Sequence, residues 1–141
     1  ISRHGIRCFN PHDLQQVSED YQISQAIVIP ANVATVVTSG QCGFKGDGSL
    51  EQDPQKQIIL AFSNAEKALQ AVGVEDGWKS VYNMTTYCPS FDDTFLALFM
   101  PVRAKYLGTN RPAWTGVAVS GLADGAVLEM TLYAAILPKS T

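Results

Sequence analysis

The sequence predicts an α+β fold in one domain, a β-sheet with two helices laid on one of its faces. Three observations carry that prediction. Segments follow the order strands, helix, strand, helix, two strands, which suits a two-layer arrangement. Residues 53–73 place apolar side chains at helical spacing between clear start and stop signals. Residues 112–137 show the two-residue alternation of paired strands, interrupted once by a Gly/Asp turn. A chain of 141 residues can bury a real core as a single domain over 1–141, with an N-terminal extension and edge strand over 1–20.

Taken in order, Ile1 to Phe9 alternates weakly and reads as an edge strand, and the polar stretch from Asn10 to Asp20 as a surface loop. Tyr21 to Ile29 reads as a strand, Pro30-Ala31-Asn32 as a turn, and Val33 to Ser39 as a returning strand rich in β-branched residues. Gly43 to Ser49 is the most glycine-dense segment. It lacks the Lys-Ser/Thr ending of a phosphate-binding loop and reads as a hairpin turn.

The first long helix has both ends written in the sequence. Asp53 can accept from the free amides, Pro54 suits the first helical position, and Gly73 closes the element. Ile58, Ile59, Phe62, Ala65, Leu69 and Val72 recur at its spacing. Trp78 to Tyr87 returns as a strand that Cys88-Pro89 ends. The second helix runs from Phe91 or Asp92 to Leu107, and Pro101 inside it should kink it or mark its start.

In the last two strands alternation groups Trp114, Gly116 and Ala118 against Thr115, Val117 and Val119. Leu128, Met130, Leu132, Ala134 and Ile136 form an apolar face, with Glu129, Thr131 and Tyr133 opposite. A second sheet face with a carboxylate, a hydroxyl, a phenol and an indole has a ligand to bind or a subunit to meet.

Composition narrows the classes. A net charge of −3 argues against a nucleic-acid or anionic-membrane binder, which needs clustered Lys and Arg. Charged residues are only 16% of the chain, as expected where other subunits cover part of the surface. No apolar run approaches the roughly 20 residues of a bilayer span. No leader is evident, although a chain starting at Ile1 is compatible with a trimmed one. Three widely spaced cysteines, Cys8, Cys42 and Cys88, suit reduced thiols in the cytoplasm. His4 and His12 lack metal-ligand spacing, and neither a Gly-x-Ser-x-Gly elbow nor a Cys-x-x-Cys motif is present. No cofactor or metal is expected.

Pro112-Ala113 with Val117, then Gly121-Leu122 and Leu128-Glu129-Met130, resembles the signature of the Rid (YjgF-like) family. The likeness continues through Tyr21, Thr38-Ser39-Gly40-Gln41, the helix at 53–72 and Tyr82 to Tyr87, covering about Tyr21 to Ile136. It implies a chorismate-mutase-like fold, a homotrimer, and small-molecule sites between subunits where imines and enamines are hydrolysed. Carried over by position, it implies a site with Glu129 positioning water, Ser39 orienting the polar end, and Tyr21, Gly116 and Cys88 nearby. One departure matters: the family's deaminases carry an arginine directly after Pro-Ala, and here that residue is Trp114. An arginine grips a carboxylate with two parallel hydrogen bonds, whereas indole offers one N–H and a π-rich wall. Arg103 on the second helix and Arg111 are the candidate replacement cations; Arg111 lies out of phase with Trp114 along a regular strand, and Arg103 is the less constrained of the two. The implied activity is therefore imine or enamine chemistry other than standard 2-imino-acid deamination, with a non-catalytic binding trimer as the alternative and an endoribonuclease as the third option.

Overall fold

The computed structural model describes residues 1–137. A short strand β1 (Arg7–Phe9) pairs antiparallel with β2 (Ala26–Val28), and α1 (Gln15–Tyr21) lies between them in sequence. The main sheet holds β3 (Ala34–Val37), β4 (Val81–Cys88), β5 (Ala113–Ala118) and β6 (Glu129–Ile136) in the order β3-β6-β4-β5. Only the β4–β5 pair is parallel, and α3 (Asp93–Leu107) makes its crossover. α2 (Pro54–Ala71) connects β3 to β4. The strands therefore form two sheets, with the N-terminal pair separate from the main one.

Both long helices pack on one face of the main sheet, as the patterning predicts. Ile58, Phe62 and Leu69 of α2 and Phe99 and Leu107 of α3 are fully buried against Met84, Leu128, Met130 and Leu132. Trp78 lies in the same core and donates its indole N–H to the Phe62 carbonyl at 2.9 Å. The α2 boundary forms as expected, with the Asp53 carboxylate accepting from the Lys56 amide and Pro54 at the first position. Ile59 and Val72, which share the helical spacing, are exposed instead. Pro101 neither starts nor ends α3. It leaves the Ala97 carbonyl without its helix donor on an exposed turn, where water can serve.

Several expectations need correction. The edge strand expected from Ile1 is only Arg7–Phe9, after a 3-10 turn at Ser2–His4, and the strand expected from Trp78 starts at Val81, after a 3-10 turn at Gly77–Ser80. Residues 10–20 are not a loop: a 3-10 turn at His12–Leu14 leads into α1. The strand expected from Tyr21 is only Ala26–Val28, because Tyr21 ends the helix and Gln22 adopts a left-handed φ of 55°. The glycine-rich segment does turn, with Phe44 bridging Leu50 and the Lys45 amide bonded to the Ser49 carbonyl at 2.7 Å.

Candidate functional site

The candidate residues fall into two clusters that strand register keeps apart. Trp114 pairs with Met84, and Gly116 with Thr86, so all four share the helix-facing side of the sheet. Glu129 pairs with Tyr87 on the opposite, open side. Indole and carboxylate therefore do not share the face on which sequence alternation alone placed them. They also lie toward different edges: Trp114 is on edge strand β5, and Glu129 is on β6 beside edge strand β3.

The first cluster is aromatic. Trp114 stacks on Phe99 with ring centroids 5.7 Å apart, touches Phe91 and Tyr21 at 6.3 Å each, and donates its N–H to Thr86 Oγ at 2.9 Å. The Arg103 guanidinium lies 4.7 Å from the Trp114 ring centroid, a cation–π contact. Relative to the arginine that the resemblance places on the strand, the cation here comes from the helix and the strand carries the ring. Arg103 is fully buried, and its Nη1 and Nη2 donate to the Tyr21 and Gln22 carbonyls at 2.8 and 3.2 Å. Burial, and then the neighbouring Arg111, bring its guanidinium down to about 10. Its Nε and the Gln22 Oε1 have no partner. Arg103 thus caps the C-terminus of α1 and is occupied by main-chain oxygens. Arg111 is likewise engaged, donating Nη1 to the Gly108 and Asn110 carbonyls.

Gly116 is explained by Phe91, whose ring occupies the space a Cβ would need. Cys88 is buried in the core, and desolvation pushes its thiol up to about 12, the behaviour of a small hydrophobe.

The second cluster surrounds Glu129. A β-bridge joins Gln41 to Met130, with amide-to-carbonyl distances of 2.7 and 3.0 Å, and pins the loop after β3 against the start of β6. Ser39 sits exposed in that loop, its carbonyl accepting from the Gln41 side chain at 3.2 Å. At Gly40 a Cβ would overlap Cγ, Cδ and Oε1 of Glu129. The buried Cys42 places its Sγ 3.7 Å from Glu129 Oε1. Among the described residues no three of His, Cys, Asp and Glu converge as a metal ion would require.

The sequence reading missed Phe91, Cys42 and Gly40. Phe91 and Gly116 meet through tertiary packing of a large ring on an absent side chain, which no local period reports. Gly40 lies inside the Thr38–Gln41 motif and Cys42 directly after it, and their contact with Glu129 depends on a bridge between residues 89 positions apart.

Two helices on one face of a sheet, a carboxylate held toward one edge and an aromatic wall at the other define an α+β protein whose candidate residues lie on both sides of its sheet. The family model described as Endoribonuclease L-PSP matches residues 17–136, and the chain belongs to that family, the Rid (YjgF-like) proteins. The RutC family protein YjgH of Escherichia coli (strain K12) is 31% identical over 85 residues, 60% of this chain and 63% of that protein. The aligned part is thus just under two thirds of that curated relative. A solved structure of protein YjgH superposes with a TM-score of 0.68 at 28% identity, covering 87% of this chain and 90% of that one. The Rid-family protein YyfB of Yersinia pestis shares the fold, with a TM-score of 0.80 at 23% identity over 93% and 98% of the two chains. No helix among the described residues is long and apolar enough to cross a membrane.

Proposed function

We propose that the protein hydrolyses a reactive imine or enamine in a pocket shared between subunits of a cytoplasmic homotrimer, and that its substrate lacks a carboxylate gripped by arginine. The observation that carries this reading is the separation of the two clusters toward opposite edges of one sheet. A neighbouring copy that sets its β3 edge beside β5 brings Glu129 and Ser39 to an aromatic wall of Trp114, Phe91 and Tyr21. The open sheet face supplies surface for such packing: Val37 and Tyr133, directly paired across β3 and β6, are 61% and 42% exposed.

The chemistry is modest. An enamine first tautomerises to the imine, losing a proton at nitrogen and gaining one at carbon. Glu129 then holds water and takes its proton while the oxygen adds to the imine carbon, and returns that proton to the nitrogen. The hydroxyl proton of the adduct passes to nitrogen as the C–N bond breaks, leaving a carbonyl and ammonia. Ser39 and loop amides orient the polar end, and the indole wall encloses the apolar one. With both terminal nitrogens of the buried Arg103 bonded to carbonyls, an anionic substrate at the aromatic wall finds no end-on fork of donors on that guanidinium, a loss typically of several kcal/mol for such a ligand.

The test is hydrolysis of two substrates. Pyruvate release from 2-aminoacrylate, generated from serine by a dehydratase, should match the blank, while neutral or aromatic enamines should be hydrolysed faster than without protein. Glu129→Gln should abolish that gain. Absence of any gain with neutral substrates rejects the reading and favours the second one, a non-catalytic binding trimer. The observation behind that alternative is that Trp114 and Phe91 already pack, partly buried, against their own core.

A further inference from the structure

We infer that Cys42 is a positioning residue for Glu129, its S–H holding one carboxylate oxygen so that the other faces water or substrate. The inference rests on the hydrolytic reading above and deepens it. Its basis is a socket of three residues. Gly40 leaves open the space across which the Glu129 side chain lies, and a Cβ there would overlap three of its atoms. The Gln41–Met130 bridge fixes the residues on either side of it, Gly40 and Cys42 on the loop and Glu129 on β6. Within that frame Cys42 Sγ stands 3.7 Å from Glu129 Oε1, within reach of an S–H···O bond.

The loop is anchored in turn from the helix layer. Asn64 of α2 donates from its Nδ2 to the Cys42 and Phe44 carbonyls at 2.9 and 2.8 Å. The chain of contacts therefore runs from a rigid helix, through the Cys42 backbone and thiol, to the carboxylate. Burial, then the charge and hydrogen bond of Glu129, push the Cys42 thiol up to about 12. The sulfur thus keeps its proton and remains a donor toward the carboxylate. A carboxylate with one oxygen occupied loses rotational freedom and presents its second oxygen at a fixed angle, which favours the geometry of water attack.

Two measurements test it. The infrared S–H stretch of Cys42, assigned by its loss in Cys42→Ala, should lie below that of an unbonded thiol and move up in Glu129→Gln, where a neutral amide oxygen accepts more weakly. In the hydrolysis assay Cys42→Ala should lower kcat about tenfold at nearly constant KM, and Cys42→Ser, which keeps a donor, should recover most of it. Cys42→Val, apolar and without a donor, separates packing from positioning: it should behave as the alanine variant does. A band that ignores Glu129→Gln overturns the inference whatever the activity. Equal rates for serine and valine variants overturn it as well. An inert wild type whose band still moves overturns the hydrolytic reading and leaves the socket supported.

Discussion

Trp114, partly buried, is held by three partners: Thr86 accepts its N–H, Phe99 lies against its ring, and Arg103 rests over the face. Trp114→Phe keeps most of the apolar contact but leaves the buried Thr86 hydroxyl without its donor. It should cost about 1 kcal/mol, read from the midpoint of urea unfolding. Trp114→Arg is more severe, because it sets a second guanidinium beside a fully buried one. Neither ion pair among the described residues, Arg3–Asp76 and Lys45–Glu51, supplies Arg103 with a carboxylate. The single variant should lose roughly 3 kcal/mol, and adding Arg103→Leu should return much of it. No recovery in the double variant would show that the two cations do not oppose one another.

His4 gives a residue-scale prediction about pH. It is buried, 3.0 Å from Ser80 Oγ, and desolvation, then the nearby Arg3, hold it below the usual imidazole value. The folded chain therefore resists the proton that the unfolded chain accepts. This contribution to stability is present above about pH 6.5, the ordinary imidazole value, and is lost as pH falls through the lowered folded value. Thermal midpoints followed from pH 8 to pH 5 should fall more steeply in the wild type than in His4→Gln. Parallel curves would remove His4 from the acid response.

At the scale of elements, α2 organises more than the core. Gln57, only 2% exposed, accepts from the Val127 amide at 2.7 Å and donates to the Glu51 carbonyl at 2.8 Å, clamping the connection into β6 that leads to Glu129. Gln57→Leu keeps the bulk and strands both partners. It should cost about 2 kcal/mol in urea unfolding, with faster hydrogen exchange at Val127 than across the rest of β6. Unchanged exchange there would mean that the connector holds itself.

The same helix shows what could be read from the sequence. Its cap, its proline and its apolar stripe are local, so neighbouring residues state them, and the alternation of β6 is equally explicit. α1 is written elsewhere. Its Val17 and Tyr21 are exposed, as is Leu14 just before it; Ser18 alone of its seven residues is buried, and Arg103, some eighty positions later, satisfies its last carbonyls. No window around residue 15 contains that donor. The placement of Trp114 fails locally for the same reason. Alternation fixes which residues share a face within β5 but not which face meets the helices; only pairing with β4 decides that. Of the candidate site, Glu129, Ser39 and Trp114 were visible as types in a pattern. Their separation into two clusters belongs to strand order.

Strand order also frames the molecule as a whole. With Trp114 on one edge strand and Glu129 next to the other, a closed ring of copies would compose each pocket from two chains, and the proposed trimer is such a ring. Complementation follows. Trp114→Ala and Glu129→Gln each remove one half of every pocket, so each homotrimer should be nearly inactive on neutral enamines. Unfolded together in equal amounts and refolded, they assort at random. About one pocket in four then joins the intact aromatic edge of a Glu129→Gln chain to the intact carboxylate of a Trp114→Ala chain, and activity should recover to about a quarter of wild type. Mixing the two after folding, without exchange of chains, should recover none. A site built within one chain cannot be repaired in this way, so co-refolded samples as inactive as their parents would place catalysis inside the protomer and break the link between edge order and function.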